Sequence, residues 1–210
     1  MANNQIRTRA KSIFPTVLLT LLSIVQALAL ELLWLHLIDQ PELYVASFAA
    51  ALGWIQIVAT LLGILLIWLV YSDLVLRLSW LPHTADALFP FFVGILQFAQ
   101  ISVLGPERIG VWFVILGTLF AAMAWIGQTT MKRARRDEDN RDFFQGINPA
   151  TWRDHLLSAL PAVLLMLAGL GIWMTGNQGW FAMVVLAGAV GLLLLQIWLS
   201  HFYVQRSYAN

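Results

Sequence analysis

Apolar residues are gathered into six long stretches that are separated by shorter polar segments. At 1.5 Å of rise per residue, about 20 apolar helical residues cross the roughly 30 Å hydrocarbon core of a bilayer. Five of the stretches reach this length and the third is slightly shorter. They cover about residues 15–37, 44–70, 88–104, 111–131, 156–175 and 180–200. The pattern predicts an all-α polytopic membrane protein in which residues 1–210 form one domain of six transmembrane helices.

Lysine and arginine residues occur in alternate connections, and this distribution predicts the orientation of the chain. Eleven of the twelve lie before the first stretch, after the second, after the fourth or in the C-terminal tail, and Arg108 alone falls on the other side. Connections rich in Lys and Arg stay in the cytoplasm. We therefore expect both termini and the polar loop 132–155 to be cytoplasmic, in a bacterial inner membrane or an equivalent membrane.

Composition excludes several classes of protein. Hydrophobic residues make up 60% of the chain and charged residues 11%, which is more apolar than a soluble domain of this length. The formal net charge is +1 and the charges form no basic face, so nucleic acid is not an expected partner. The chain contains no cysteine, which excludes disulfides, thiolate nucleophiles and cysteine-based metal sites.

Glu31 is the acidic or basic residue that lies well inside a predicted span, about six residues before its outer end. An ionised carboxylate at that depth is costly unless it is paired, protonated or reached by water. Gln26 lies deeper on the same helix, and the five-residue spacing places the two about 140° apart. Glu31 has two interpretations: a proton or cation site, or a group that reaches the outer headgroup region.

Further polar and aromatic candidates lie in the second and third stretches. Gln97 and Gln100 share a face of the third helix, because they are three residues apart. Such amides either bond across helices and hold a bundle together or line a pore. Most tryptophans fall near span ends, as in an aromatic belt, whereas Trp54 is predicted to lie deeper. Trp54 is therefore the best candidate for a tryptophan-lined ligand site.

A basic run follows the fourth stretch and is the candidate contact for anionic lipid headgroups. It consists of Lys132, Arg133, Arg135 and Arg136. The same residues also serve as a topology signal, which is the simpler interpretation. The acidic residues 137–139 follow at once, so we expect a zwitterionic loop with a solvated middle. Asn148 and Pro149 then predict the start of a surface helix that leads into the fifth span.

The sequence gives little support for an enzyme. The four histidines lie near span ends, and they include neither a pair facing each other across the membrane core nor an H-E-x-x-H motif. His83 and Asp86 supply too few ligands for a closed metal site and are better explained as part of a helix cap. We expect no catalytic residue, no metal and no cofactor.

Two functions remain as the main hypotheses, and an intramembrane enzyme is a third and weaker option. The first is a small transporter or channel subunit that moves an ion or small solute along a path of Glu31, Gln26, Gln97 and Gln100. The second is a non-catalytic subunit or scaffold of a larger membrane complex, which the scarcity of polar groups in the spans favours. The expected partners are the lipid bilayer and either further copies of this chain or another membrane subunit.

Overall fold

The protein is all-helical throughout the residues that its structure, a computed structural model, describes, namely 2–80, 84–145, 151–176 and 178–208. Short 3-10 turns at Pro41–Tyr44, Pro106–Arg108 and Glu138–Asn140 join some of the helices. The six long helices are α1 Ala2–Asp39, α2 Phe48–Arg77, α3 Thr84–Ser102, α4 Ile109–Ala134, α5 Trp152–Thr175 and α6 Trp180–Tyr208. This architecture confirms the predicted all-α class.

Four helical segments are long and apolar enough to cross a membrane. They are Thr8–Asp39, Phe48–Arg77, Pro106–Ala134 and Trp180–Ser200. The apolar parts of α3 and α5 are shorter, at Asp86–Ser102 and Ala159–Thr175. Seventeen residues rise about 26 Å as a helix, somewhat less than a typical hydrocarbon core. The long apolar helices indicate a membrane protein.

Several helices extend beyond the stretches that hydropathy predicted. Helix α1 begins at Ala2, and α3 begins at Thr84, four residues before the predicted third stretch. Pro90 consequently lies in the interior of α3. Hydropathy marks where a helix is apolar, whereas backbone hydrogen bonding continues into polar sequence. His83, Asn148 and Pro149 lie outside the described residues, and α5 begins at Trp152.

Contacts between helix ends show that successive helices run in alternate directions. Lys11 near the start of α1 contacts Asp137 after α4, and Ser79 after α2 contacts Asn140. We call the end of the bundle at which these two contacts lie the basic end. At the opposite end, the Phe48 ring at the start of α2 packs on Trp180 at the start of α6, with centroids 5.4 Å apart.

The backbones of α4 and α5 approach each other closely because glycines line their interface. A Cβ added at Gly117 would lie 2.8 Å from the carbonyl oxygen of Ala162. A Cβ at Gly169 would lie 2.6 Å from the carbonyl oxygen of Gly110. Small residues at such positions let helices pack by van der Waals contact where no hydrophobic effect drives them together. Side chains larger than glycine would force this pair of helices apart.

Candidate functional site

Glu31 points directly away from the bundle. Its side chain is exposed, while Ala29 and Leu33, on the opposite side of the helix, are 0% and 4% exposed. Two residues before and two after Glu31 lie about 160° from it around a helix. Glu31 makes no hydrogen bond or ion pair with a residue that the structure describes. It therefore lies apart from the buried amides that the sequence placed with it in one path.

Gln26 and Gln97 bond to each other inside the bundle. Each carboxamide donates from Nε2 to the Oε1 of the other, at 3.1 Å in both directions. Both side chains are buried, with 4% and 1% of their surface exposed. The reciprocal pair ties α1 to α3 and satisfies one donor and one acceptor of each amide. This geometry is that of a hydrogen-bonded pair that holds two helices together.

Gln100 and Gln56 complete a belt of buried amides in the half of the bundle away from the basic end. The amide belt consists of Gln26, Gln56, Gln97 and Gln100. The Oε1 of Gln56 accepts the backbone N–H of Gly105 at 3.2 Å. The Nε2 groups of Gln56 and Gln100 have no hydrogen-bond partner among the described residues. Gln56 was not among the residues that the sequence placed in the path.

A second chain of hydrogen bonds crosses from α4 to α2 at the same level. The indole N–H of Trp112 donates to Oγ1 of Thr60 at 3.2 Å. The Thr60 hydroxyl in turn donates to the backbone oxygen of Gln56 at 2.8 Å. Trp112 is fully buried, so its N–H requires such a partner. The interior polar groups of this half are thus used mainly to join helices.

Trp54 lies at the boundary of the bundle and not in its interior. Its indole N–H donates to the backbone oxygen of Leu43 at 2.9 Å, and its ring meets Tyr44 edge to face at 6.2 Å. The side chain is 39% exposed. These contacts hold the 3-10 turn that joins α1 to α2. The predicted depth of Trp54 in the membrane stays a prediction.

Two clefts open between the helices. One, of about 280 Å³, lies at the end opposite the basic end and has His36, Glu42, Ser47, Gly53 and Gly105 among its lining residues. The other, of about 330 Å³, opens between α2, α4 and α6 and is apolar except for Gln196. Neither cleft is lined by Glu31, Trp54, Gln97 or Gln100.

The four predicted headgroup-binding residues differ in their surroundings. Nη1 of Arg133 donates to Oδ1 of Asp86 at 2.6 Å, and the Asp86 side chain is almost fully buried. The guanidinium of Arg135 lies 4.6 Å from the centre of the Phe144 ring, a cation–π contact. Lys132 and Arg136 are exposed. The exposed pair is thus better placed for a headgroup than Arg133, and lipid binding stays a prediction.

The loop after α4 is fastened to the basic end by contacts that the sequence did not indicate. Asn140 is buried and bonds to the backbone of Ser79 and Ala134. The Nζ of Lys11 lies 2.7 Å from carboxylate oxygens of both Asp137 and Asp139. The hydrogen bond from Lys11 lowers the pKa of the Asp139 carboxyl below its usual range, and the nearby positive charge adds to this effect. The first part of this loop is therefore structured.

A metal site is not formed by the described residues, which contain no cluster of three or more His, Asp or Glu side chains. Comparison with protein-family models, with curated proteins and with solved structures gave no match. The site must therefore be interpreted from its own chemistry.

Proposed function

We propose that this chain is a non-catalytic subunit or scaffold of a larger membrane complex, and that α1 forms its contact surface. The position of Glu31 carries the proposal. The carboxylate lies within the apolar part of α1, on a face that no described residue covers. A charged side chain such as Asp at the centre of a membrane helix costs about 2.5–3.5 kcal/mol on insertion scales. Contact with a partner protein offsets this cost.

The arrangement of the remaining polar groups supports the same function. Gln26 bonds to Gln97, and Thr60 links Trp112 to Gln56, so these groups serve the packing of the bundle itself. The rest of the bundle covers little of α1: 28% of its apolar window is buried, against 56% for α2, 50% for Pro106–Ala134 and 22% for Trp180–Ser200. A large part of α1 is thus available to another protein.

We also propose that the chain crosses the membrane six times, with both termini in the cytoplasm, and that it lies in a bacterial inner membrane or an equivalent membrane. The clustering of Lys and Arg at the basic end supports this orientation. Because the chain contains no cysteine, single cysteines at positions 107 and 138 provide a direct test. An impermeant maleimide added to intact cells should label position 107 and leave position 138 unlabelled; the reverse pattern would overturn the orientation.

Crosslinking combined with native mass spectrometry tests the role as a subunit. A photoreactive residue at Leu28 or Leu35 of α1 should crosslink a defined companion in the native membrane. Leu167, which is exposed on α5, is the matched control and should give no such product. Native mass spectrometry of the gently extracted protein should show the same companion in fixed stoichiometry. A monomer or a closed homo-oligomer, without a companion, contradicts the proposal.

Transport of an ion or small solute is the second candidate, favoured by the unpaired donors of the amide belt. Gln56 bonds to Gly105, which lines the cleft opposite the basic end, so this cleft lies next to the belt. Reconstituted protein should then carry protons or potassium, and Gln100→Leu should reduce the flux. Gln196→Leu in the other cleft is the control. A flux that Glu31→Gln leaves unchanged removes Glu31 from the path, and the absence of any flux of these ions argues against this candidate.

A further inference from the structure

The outward face of α1 has the spacing of a helix-pairing seam. Val17, Ile24, Leu28, Leu35 and Ile38 are each between 42% and 54% exposed. With the partly exposed Leu21 and with Glu31, they recur in alternate steps of four and three residues. That heptad spacing keeps one face of a helix against a partner helix over its whole length. We call these seven residues the outer seam of α1.

Glu31 is the polar member of the outer seam. Between Lys11 and Asp39 it is the sole Asp, Glu, Lys or Arg residue, and it lies about 12 Å before the end of the helix. A polar residue at a single seam position selects the partner and the register of a helix pair. In hydrocarbon the selection is stronger when the polar group is charged, because an unmatched charge is costly there.

This chain cannot supply the opposite charge to a second copy of itself at that depth. Arg108 is the basic residue predicted at the same end of the bundle, and it lies in the 3-10 turn at the very start of the span Pro106–Ala134, whereas Glu31 lies about 12 Å inside the end of α1. Two copies paired in parallel along their outer seams would bring Glu31 against Glu31. Like charges placed together in a medium of low dielectric constant repel each other. Charge complementarity therefore favours a different protein.

We propose that the outer seam binds one transmembrane helix of a second membrane protein, which presents a Lys or Arg side chain opposite Glu31. This inference rests on the proposed function as a subunit and names the chemistry of its partner. The apolar seam residues supply packing along the helix, and the ion pair sets the register. Each charge removes the cost of leaving the other unpaired in hydrocarbon.

Model transmembrane peptides provide a direct test in lipid vesicles. The probe is a leucine-rich helix with one lysine at the level of Glu31, labelled for energy transfer to the labelled full-length protein. Peptides with leucine or glutamate at that position are controls. The lysine peptide should associate with the wild-type protein about tenfold more tightly than the leucine peptide, which corresponds to 1.4 kcal/mol. The glutamate peptide should bind no better than the leucine peptide.

Variants of the protein separate the contribution of the seam residues to binding from that of the carboxylate. Glu31→Leu should remove the preference for the lysine peptide without changing helix content or elution volume, because the residue is exposed. Adding Val184→Glu to Glu31→Leu places a carboxylate on α6, four residues inside Trp180, much as Glu31 lies three residues inside Trp34. Val184 is 66% exposed, so this carboxylate should be equally accessible. It should not restore binding, because the exposed face around Val184 carries Gly188 and Gly191 where the outer seam carries large apolar side chains.

Three results would overturn the inference. They are equal binding of the lysine peptide by wild-type protein and Glu31→Leu, restoration of binding by the α6 carboxylate, and Glu31-dependent dimerisation of the wild-type protein without binding of the lysine peptide. The last result would identify a second copy as the occupant. A crosslinked companion that lacks a basic residue in its membrane helix would refute the partner chemistry while leaving the role as a subunit intact.

Discussion

Asn140 takes both backbone hydrogen bonds of Ser79, a residue 61 positions earlier in the chain. The Oδ1 of Asn140 accepts the Ser79 N–H at 2.8 Å, and its Nδ2 donates to the Ser79 carbonyl oxygen. The same Nδ2 also donates to the carbonyl oxygen of Ala134 at 2.7 Å. One side chain thus joins the end of α2 to the turn after α4.

Asn140→Asp should destabilise the protein by about 1–3 kcal/mol, because a carboxylate accepts the Ser79 N–H but cannot donate to the two carbonyl oxygens. The midpoint of thermal unfolding in detergent measures the effect. Glu138→Ala changes an exposed residue of the same turn and should leave the midpoint close to that of the wild type. Equal midpoints for the two variants would show that Asn140 does not fasten this end.

The pair Gln26–Gln97 should show coupling in a double-mutant cycle. Gln26→Leu or Gln97→Leu alone leaves one buried amide without its partner and should cost roughly 1 kcal/mol. The double variant leaves no unpaired amide at this position, so its cost should be smaller than the sum of the two single costs. Unfolding free energies in mixed detergent micelles test this expectation. Strictly additive costs would contradict the reciprocal bond.

Two glycines of α5 should respond differently to the same substitution. Gly169→Ala places a Cβ 2.6 Å from the backbone oxygen of Gly110, and a backbone atom cannot rotate away as a side chain can. We expect a loss of about 1–3 kcal/mol, as for other overpacked positions. Gly171→Ala meets no atom within 4 Å and should be neutral or slightly stabilising. Similar unfolding midpoints for the two variants would contradict the close contact of α4 and α5.

The basic run after α4 should separate into a lipid-binding part and a structural part. Lys132→Gln with Arg136→Gln should reduce the number of anionic lipids retained in native mass spectrometry, because these side chains are exposed. Arg133→Gln should instead lower the unfolding midpoint, because it leaves the buried Asp86 carboxylate without this partner. The double variant Arg133→Gln with Asp86→Asn should recover part of that loss. If Arg133→Gln reduced lipid retention and left the unfolding midpoint unchanged, Arg133 would belong to the lipid-binding part.

The contact between Lys11 and Asp139 should contribute to stability in a pH-dependent way. The folded-state pKa of Asp139 is lowered by Lys11. Its contribution is therefore present above the unfolded pKa of about 3.9 and is lost as the pH falls through the lower folded value. The difference in unfolding midpoint between wild type and Asp139→Asn should be small, because the carboxylate is solvent-exposed. This difference should be constant from pH 5 to 8 and should disappear once acid protonates the carboxyl in the folded state as well. A difference that grows on acidification would contradict the direction of the shift.

Hydropathy predicted the number and order of the helices well, because an apolar stretch of about 20 residues has few alternatives to a helix in lipid. It predicted their ends less well. Nothing in the composition of residues 2–14 marks the start of α1 at Ala2, since charged and amide residues continue a helix readily. The third helix was predicted too short for the same reason, as Asp86 lies inside it.

The directions of single side chains were harder to predict. The angle between Gln26 and Glu31 was available from their spacing, and the structure places one inside and the other outside. The choice between them required knowledge of which face of α1 packs on α3. The buried position of Asn140 had no signal of its own. The adjacent Phe143 and Phe144, two large apolar residues in a polar loop, were the signal that this loop packs against the bundle.

The glycine contact between α4 and α5 also bears on how the protein is made. The apolar part of α5, Ala159–Thr175, is short for an independent stop in the bilayer and contains Pro161. Helix α4 leaves the ribosome first and presents a surface that fits α5 almost backbone to backbone. We therefore expect the contact with α4 to retain α5 in the membrane during synthesis. Substitutions at Gly169 should lower the yield of fully inserted chains before they affect the stability of the finished bundle.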